Sequence, residues 1–165
     1  MVEFEKGLRQ VAELMAISAR TAPKAKGEDF IDLKILSGKQ LKVLSKAMLD
    51  HARKANDPMW KRDGTCIMRS GAVLLVGIRD PVNKKRKASR STVKGDVFAE
   101  NERARRFIDL GIALGSAAKT ASILNVDNRI MWRAGEMARR IGLLKSYVVI
   151  GIPLSASGKN IFFDR

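Results

Sequence analysis

The chain is poor in the residues from which metal centres and catalytic triads are built: its 165 residues include one cysteine, Cys66, and one histidine, His51. A single thiol cannot close an intrachain disulfide, nor supply the thiolates, generally four, that an iron–sulfur cluster needs. One Cys with one His also falls short of a zinc site, so no metal ligand set is assigned. A nucleophilic pair from Cys66 and His51 has no local support, because His51 stands among Asp50, Arg53 and Lys54 and reads as a surface residue. Aromatics make up only 5% of the chain, with two Trp and one Tyr, which leaves little for stacking single-stranded bases. No apolar run approaches the roughly 20 residues that span a bilayer. The opening MVEFEKGLRQ lacks the apolar core of a signal peptide. With one thiol and no such segment, a cytoplasmic location and no membrane partner are expected.

Acidic residues are also few: 17 Asp and Glu face 32 Lys and Arg, a formal net charge of +15. Lys84, Lys85, Arg86, Lys87, Arg90 and Lys94 form one dense run, with Arg103, Arg105 and Arg106 close behind. The run suggests an exposed basic loop at about 82–96. The charge suggests a polyanion partner, either nucleic acid on the 82–106 segment or a phosphate-bearing ligand. A solvated basic surface is the plain alternative.

With 45% hydrophobic residues, the chain can bury a core of its own as one domain over 1–165. Phe4, Leu8, Val11, Met15 and Ala19 recur at helical spacing, predicting a helix over about 3–20 that Pro23 stops. FIDLKIL, 30–36, alternates as a half-buried strand does. Ser37 offers a cap for a helix over about 39–54 burying Leu41, Leu44, Ala47 and Met48. Residues 59–69 carry no clear period. Ala72 to Ile78 is continuously apolar and reads as a central strand covered on both faces. A helix is expected from Val97 or Glu100, continuing or restarting near Asp109. Its small residues Gly111, Ala113, Gly115, Ser116, Ala117, Ala118 and Ala121 let a neighbour approach closely. Asp127 is the expected N-cap of a further helix to Ile141, with Gly142 following its end. Tyr147 to Ile152 reads as the third strand, closed by Pro153. This order gives an α+β or α/β sandwich with a small mixed sheet flanked by helices.

GIPLSASGKN fails as a phosphate-binding P-loop, because six residues separate Gly151 from Gly158 and no helix can follow in the six residues after Lys159. Two clusters of hydroxyl, amide and cationic groups remain as phosphate or cofactor candidates. One is Arg20, Lys24, Lys26 and Gly27; the other is Ser155, Ser157, Lys159, Asn160 and Arg165. Asn125, Asp127 and Asn128 are explained by capping. No residue stands out as a catalytic acid or base.

AISARTAPKAKG (16–27), SGAVLLVGI (70–78), DLGIALGSAAKTASILNVDNRIM (109–131) and VVIGIPLSASGKNIFFDR (148–165) resemble an uncharacterised prokaryotic family of ferredoxin-domain-containing proteins. Members of that family carry a cysteine cluster between the central strand and the small-residue helix. That stretch holds no cysteine here, so the resemblance does not imply an iron–sulfur cluster for this chain. The element order is also similar to the flavin-dependent nitroreductase fold. That likeness implies a homodimer with the small-residue helix at its interface and FMN as cofactor. Ala22, Pro23 and Gly27 would then match the flavin-side loop, and 159–165 the tail that helps hold the phosphate. The Arg-Ser-x-Arg pattern of such enzymes has no counterpart in residues 1–7, so the phosphate would rely on Lys24, Lys26, Lys159 or Arg165. The expected function is thus an FMN-binding oxidoreductase. The alternatives are a non-catalytic nucleic-acid-binding protein and a cysteine-depleted scaffold.

Overall fold

A computed structural model describes residues 4–80, 95, 98 and 101–163. The expected basic loop at 82–96 falls almost wholly outside these residues, and so does Arg165.

Helix α1, Glu5–Thr21, buries Leu8, Ala12, Met15 and Ala19 on one stripe, while Phe4 lies exposed just before its start. Pro23 biases Ala22 to an extended conformation, which ends the helix. A single 3-10 turn, Ala25–Gly27, leads into strand β1, Ile31–Leu36. Helix α2 is Lys39–Ala55; the residue at its N-cap is Gly38, so the expected Ser37 cap is not made and only the Ser37 carbonyl accepts, from Gln40. The ambiguous stretch forms helix α3, Pro58–Met68, capped by the Asp57 carboxylate, which accepts from the Met59 and Trp60 amides at 2.8 and 3.3 Å. Pro at the first helical position fits that start.

Strand β2, Ala72–Ile78, is buried along its whole length. Helix α4 runs unbroken over Glu102–Ile123 with Asn101 as its cap. Asp127 does not cap the next helix: it lies in the two-residue strand β3, Asp127–Asn128, and helix α5 begins at Trp132 and ends at Arg140. Gly142 follows that helix with φ +74°, as expected of a residue past a helix end.

Strand β4, Val148–Ser155, passes straight through Pro153. Gly151 exchanges both backbone bonds with Met131, so Pro153, two residues on, turns its N–H-less nitrogen to the same side. The ladder between β3 and Met131 is interrupted at that place, and a proline is tolerated where no donor is required.

The sheet order is β1-β2-β4-β3, and among the described residues each pairing is antiparallel, where a mixed sheet was expected. The α+β sandwich itself is as expected. Along β2, Leu74, Val76 and Ile78 face the core formed with α1 and α4, while Val73 and Leu75 face the one formed with α2, α3 and α5. At Gly135 the α5 backbone meets β4 so closely that a β-carbon would fall 2.0 Å from the Val149 carbonyl oxygen.

Candidate functional site

The first basic cluster lies in the loop joining α1 to β1, and most of its charge is engaged within the chain. Lys24 Nζ donates to the Ala19, Arg20 and Ala22 carbonyls at 3.2, 2.6 and 2.7 Å, covering groups that the helix end leaves unpaired. Arg20 pairs with Asp29 and donates to the Ile31 carbonyl at 2.8 Å. Burial pushes the Asp29 carboxyl up, but the Arg20 contact and the Ile31 amide together hold it below the usual carboxylate range. Lys26 has φ +59° and Gly27 φ +66°, so the turn passes through two left-handed residues in succession. Burial pushes the Glu102 carboxyl up, but Arg106 and then Arg105 hold it below its ordinary value, with Lys26 adding to the same effect.

Helix α4 holds that turn from behind. Asp109 Oδ1 accepts from the Ala25 amide at 2.8 Å. Arg106, fully buried, donates to the Ala25 and Glu28 carbonyls at 3.1 and 3.3 Å, to Asp109 at 2.9 Å and to Glu102 at 2.6 and 2.9 Å. It also pairs with the Glu28 carboxylate and lies over the Phe30 ring, 4.4 Å from its centre. Burial disfavours the charged guanidinium, yet its carboxylate partners outweigh that and hold its pKa above the ordinary arginine value. The sequence offered one signal for this network: Glu102, Arg106 and Asp109 recur at helical spacing on a face that continues as Leu110, Ala113 and Ala117, all buried.

The second cluster closes the other end of the sheet. Ser155, buried, is the last residue of β4 and pairs with Asp127; Ser157 Oγ donates to the Lys159 carbonyl at 2.6 Å. Asn160 donates to the Asp127 carboxylate at 3.0 Å and accepts from the Phe162 amide at 2.9 Å. A polar cavity of about 410 Å³ opens here, lined by Ser122, Asn125, Val126, Asp127, Asn128 and Asn160. Lys159 is exposed beside it in sequence, and Arg129 anchors the tail through the Phe162 carbonyl and the Phe163 ring. Asp127 thus serves the tail rather than a helix cap, while Asn128 donates to the Val126 carbonyl at 3.1 Å and pairs with Leu154 of β4.

Among the described residues, one chain does not bring the two clusters together. The 24–27 loop stands where Ile31 registers with Ile78 and that residue with Val148; the tail leaves where Leu154 registers with Ala72. Helix α4 spans the distance, from Asp109 at the loop to Ser122 at the cavity, about 20 Å at 1.5 Å per residue. Its small residues divide between two faces. Ala113, Ala117 and Ala121 are buried in the core shared with α1, where the Thr120 and Ser18 hydroxyls bond at 2.7 Å. Gly111 and Gly115 face outward with no atom near either, flanked by the exposed side chains of Phe107, Ile108, Ile112 and Ile123.

Cys66 is buried, and its thiol donates to the Ile161 carbonyl; burial, reinforced by Asp63, pushes its pKa up and disfavours the thiolate. Among the described residues no group of three His, Cys, Asp or Glu side chains is placed to hold a metal. Arg103 pairs with Asp80, Arg105 with Glu102 and Arg106 with three carboxylates, which neutralises the described part of the candidate nucleic-acid segment.

Residues 102–165 match the model of a family described as "Uncharacterized protein containing a ferredoxin domain" (DUF2148). An uncharacterized protein of Archaeoglobus fulgidus is 38% identical, with 96% of this chain and 92% of that protein aligned. The chain belongs to this family. Its fold is that of the nitroreductases. The nitroreductase-like protein of Bacillus cereus superposes with a TM-score of 0.62 at 13% identity, over 92% of this chain and 76% of that one. The FMN-dependent nitroreductase NfnB of Mycobacterium smegmatis, solved with NADPH, gives 0.63 at 11%, over 91% and 78%. A putative nitroreductase of Desulfovibrio desulfuricans, solved with FMN, gives 0.61 at 11%, over 92% and 75%. At such identity these likenesses establish the fold and not the chemistry. The family description names a ferredoxin domain, but one buried thiol does not fit a cluster that needs several thiolates. No described helix is long and apolar enough to cross a membrane.

Proposed function

We propose that the protein is a homodimeric, FMN-binding oxidoreductase whose flavin site is shared between two copies of the chain. The observation that carries this reading is the placement of two candidate half-sites at opposite ends of α4, with an outward apolar stripe between them. Two copies packing that stripe antiparallel about a twofold axis would set the 24–27 loop of one against the 155–165 tail of the other. Gly111 and Gly115 at the middle of the stripe would let the helix backbones approach. The donor set fits a flavin nucleotide. Ser157, Lys159, Asn160 and Arg165 offer a hydroxyl, an amide and two cations for the phosphate, while Lys26, Gly27 and the Ala22-Pro23 turn would border the ring. Lys24 and Arg20 support this loop by holding the end of α1 and the start of β1.

Bound FMN would supply the hydride-level redox chemistry, and the chain would supply binding, orientation and a charged surrounding. The two nitroreductase relatives solved with FMN or described as FMN-dependent support this choice of cofactor. A visible absorbance spectrum of freshly purified protein tests it: flavin bands, with FMN found by mass spectrometry after heat release, are expected. A colourless protein that forms a tight dimer and takes up no added FMN would favour a purely structural role instead.

A further inference from the structure

We propose that Arg106 is the positioning residue of this flavin site: buried behind the 24–29 loop, whose Lys24 and Lys26 stand beside Glu28 and Asp29, it holds a charge-compensated, fixed turn suited to the uncharged ring of the flavin rather than to its phosphate. The proposal rests on the flavin reading above and assigns the two half-sites different tasks. A guanidinium removed from water is costly unless its donors are paired. Here Nε, Nη1 and Nη2 all have acceptors, supplied by Glu102, Asp109, Glu28 and two loop carbonyls. Asp109, held by Arg106 through one oxygen, takes the Ala25 amide with the other. The Ala25, Gly27 and Glu28 amides, which a phosphate oxygen would need at this turn, are thus already taken by Asp109 and by the Lys24 and Ala25 carbonyls.

Charge agrees with geometry. Around the loop, Arg20, Lys24, Lys26, Arg105 and Arg106 meet Glu28, Asp29, Glu102 and Asp109, five cations against four carboxylates. A net excess of one charge, spread over that many ion pairs, offers a dianionic phosphate little. The tail differs. Lys159 is exposed, and its chain neighbour Asn160 lines a cavity with one carboxylate, Asp127, which already accepts from Asn160. Of the two left-handed residues only Lys26 carries a steric cost; the turn closes through its own Gly27 and Glu28 amides, and Arg106 of α4 adds bonds to the Ala25 and Glu28 carbonyls on either side.

The test compares FMN with riboflavin, which carries the same ring and no phosphate, by flavin-fluorescence quenching on the full-length protein. The unmodified chain is expected to bind both, FMN more tightly. Arg106→Lys keeps the charge but cannot fork to two carbonyls and three carboxylates, so it should weaken both ligands by the same factor, at least tenfold. Glu102→Gln, a milder change if the lysine variant folds poorly, should weaken both equally by a smaller factor. Lys159→Ala should weaken FMN alone. Partial unfolding would also weaken both ligands by one common factor, so circular dichroism melts must show each variant folded at the assay temperature. In folded Arg106→Lys the absorbance bands of the bound flavin ring should shift as its surround loosens, and in Lys159→Ala they should not. Loss of FMN with riboflavin binding unchanged in Arg106→Lys would make the loop a phosphate site and overturn the proposal; so would unchanged binding of both. Failure of the unmodified chain to bind either flavin would instead refute the flavin reading itself.

Discussion

Ile112 sits at the middle of the outward stripe of α4, between Gly111 and Gly115, and 39% of it is exposed in the single chain. Replacing it with glutamate should leave one isolated chain almost unchanged, because surface substitutions away from special features shift stability by no more than about 0.5 kcal/mol. In the proposed dimer the change occurs twice beside the twofold axis. Each copy forfeits roughly 1 kcal/mol of apolar burial and leaves a carboxylate partly desolvated against an apolar partner, which costs about 1 kcal/mol or more. The sum, about 4 kcal/mol for the pair, raises the dimer dissociation constant by roughly 1,000-fold. Sedimentation velocity should show the unmodified protein as a dimer and Ile112→Glu as a monomer at the same micromolar concentration. FMN quenching should disappear with the dimer, although no residue proposed to touch the flavin has been altered. A variant that remains dimeric, or a monomer that binds FMN as tightly as before, would refute the shared site.

Two further outcomes follow from packing and charge. Gly135→Ala places a β-carbon against backbone, the Val149 carbonyl, which cannot rotate aside as a side chain could. A cost of about 3 kcal/mol or more is expected, a drop in melting temperature of roughly 6–12 °C, and a shift under about 2 °C would show that α5 rides loosely on the sheet. Acid should destabilise the fold through Asp29, Glu102 and Glu136, whose carboxyls are all held below their ordinary values. For Asp29 and Glu102 burial opposes the shift and arginine contacts outweigh it; for Glu136 the hydrogen bonds from Arg139 and Arg140 lead. Groups with depressed folded values add stability above their unfolded values, near 3.8 for Asp and 4.5 for Glu, and lose it as pH falls through the folded ones. Melting temperatures should therefore hold steady down to about pH 5 and then fall; a fall beginning at pH 6 or above would point to other groups.

Much of the framework was legible because its period is carried by apolar side chains. α1, α2, β1 and β2 show their stripes or alternation directly, and Pro23 and Gly142 mark ends by backbone restriction alone. Helix α3 was not legible, since it buries Asp63 and Gly64 among Trp60, Cys66 and Ile67, and a buried ion pair does not register as hydrophobic periodicity. Asp127 was misread for a similar reason. A capping residue and a strand residue that accepts from Asn160, 33 positions away, look alike until the tail is placed. Pro153 suggested a strand end, but the partner lacking beside it lets β4 continue. The two basic clusters could be found by residue type, yet composition could not tell that Lys24 caps a helix while Lys159 faces solvent. Nor could it show that α4 separates them by its own length.

The most direct test of the central claim is a titration of the purified, full-length protein with FMN, followed by quenching of flavin fluorescence. A shared site at each end of a symmetric dimer predicts saturable quenching with one flavin per chain, found in the dimer and absent from the Ile112→Glu monomer. A protein that quenches no FMN, or that saturates at one flavin per chain as a monomer, would contradict it.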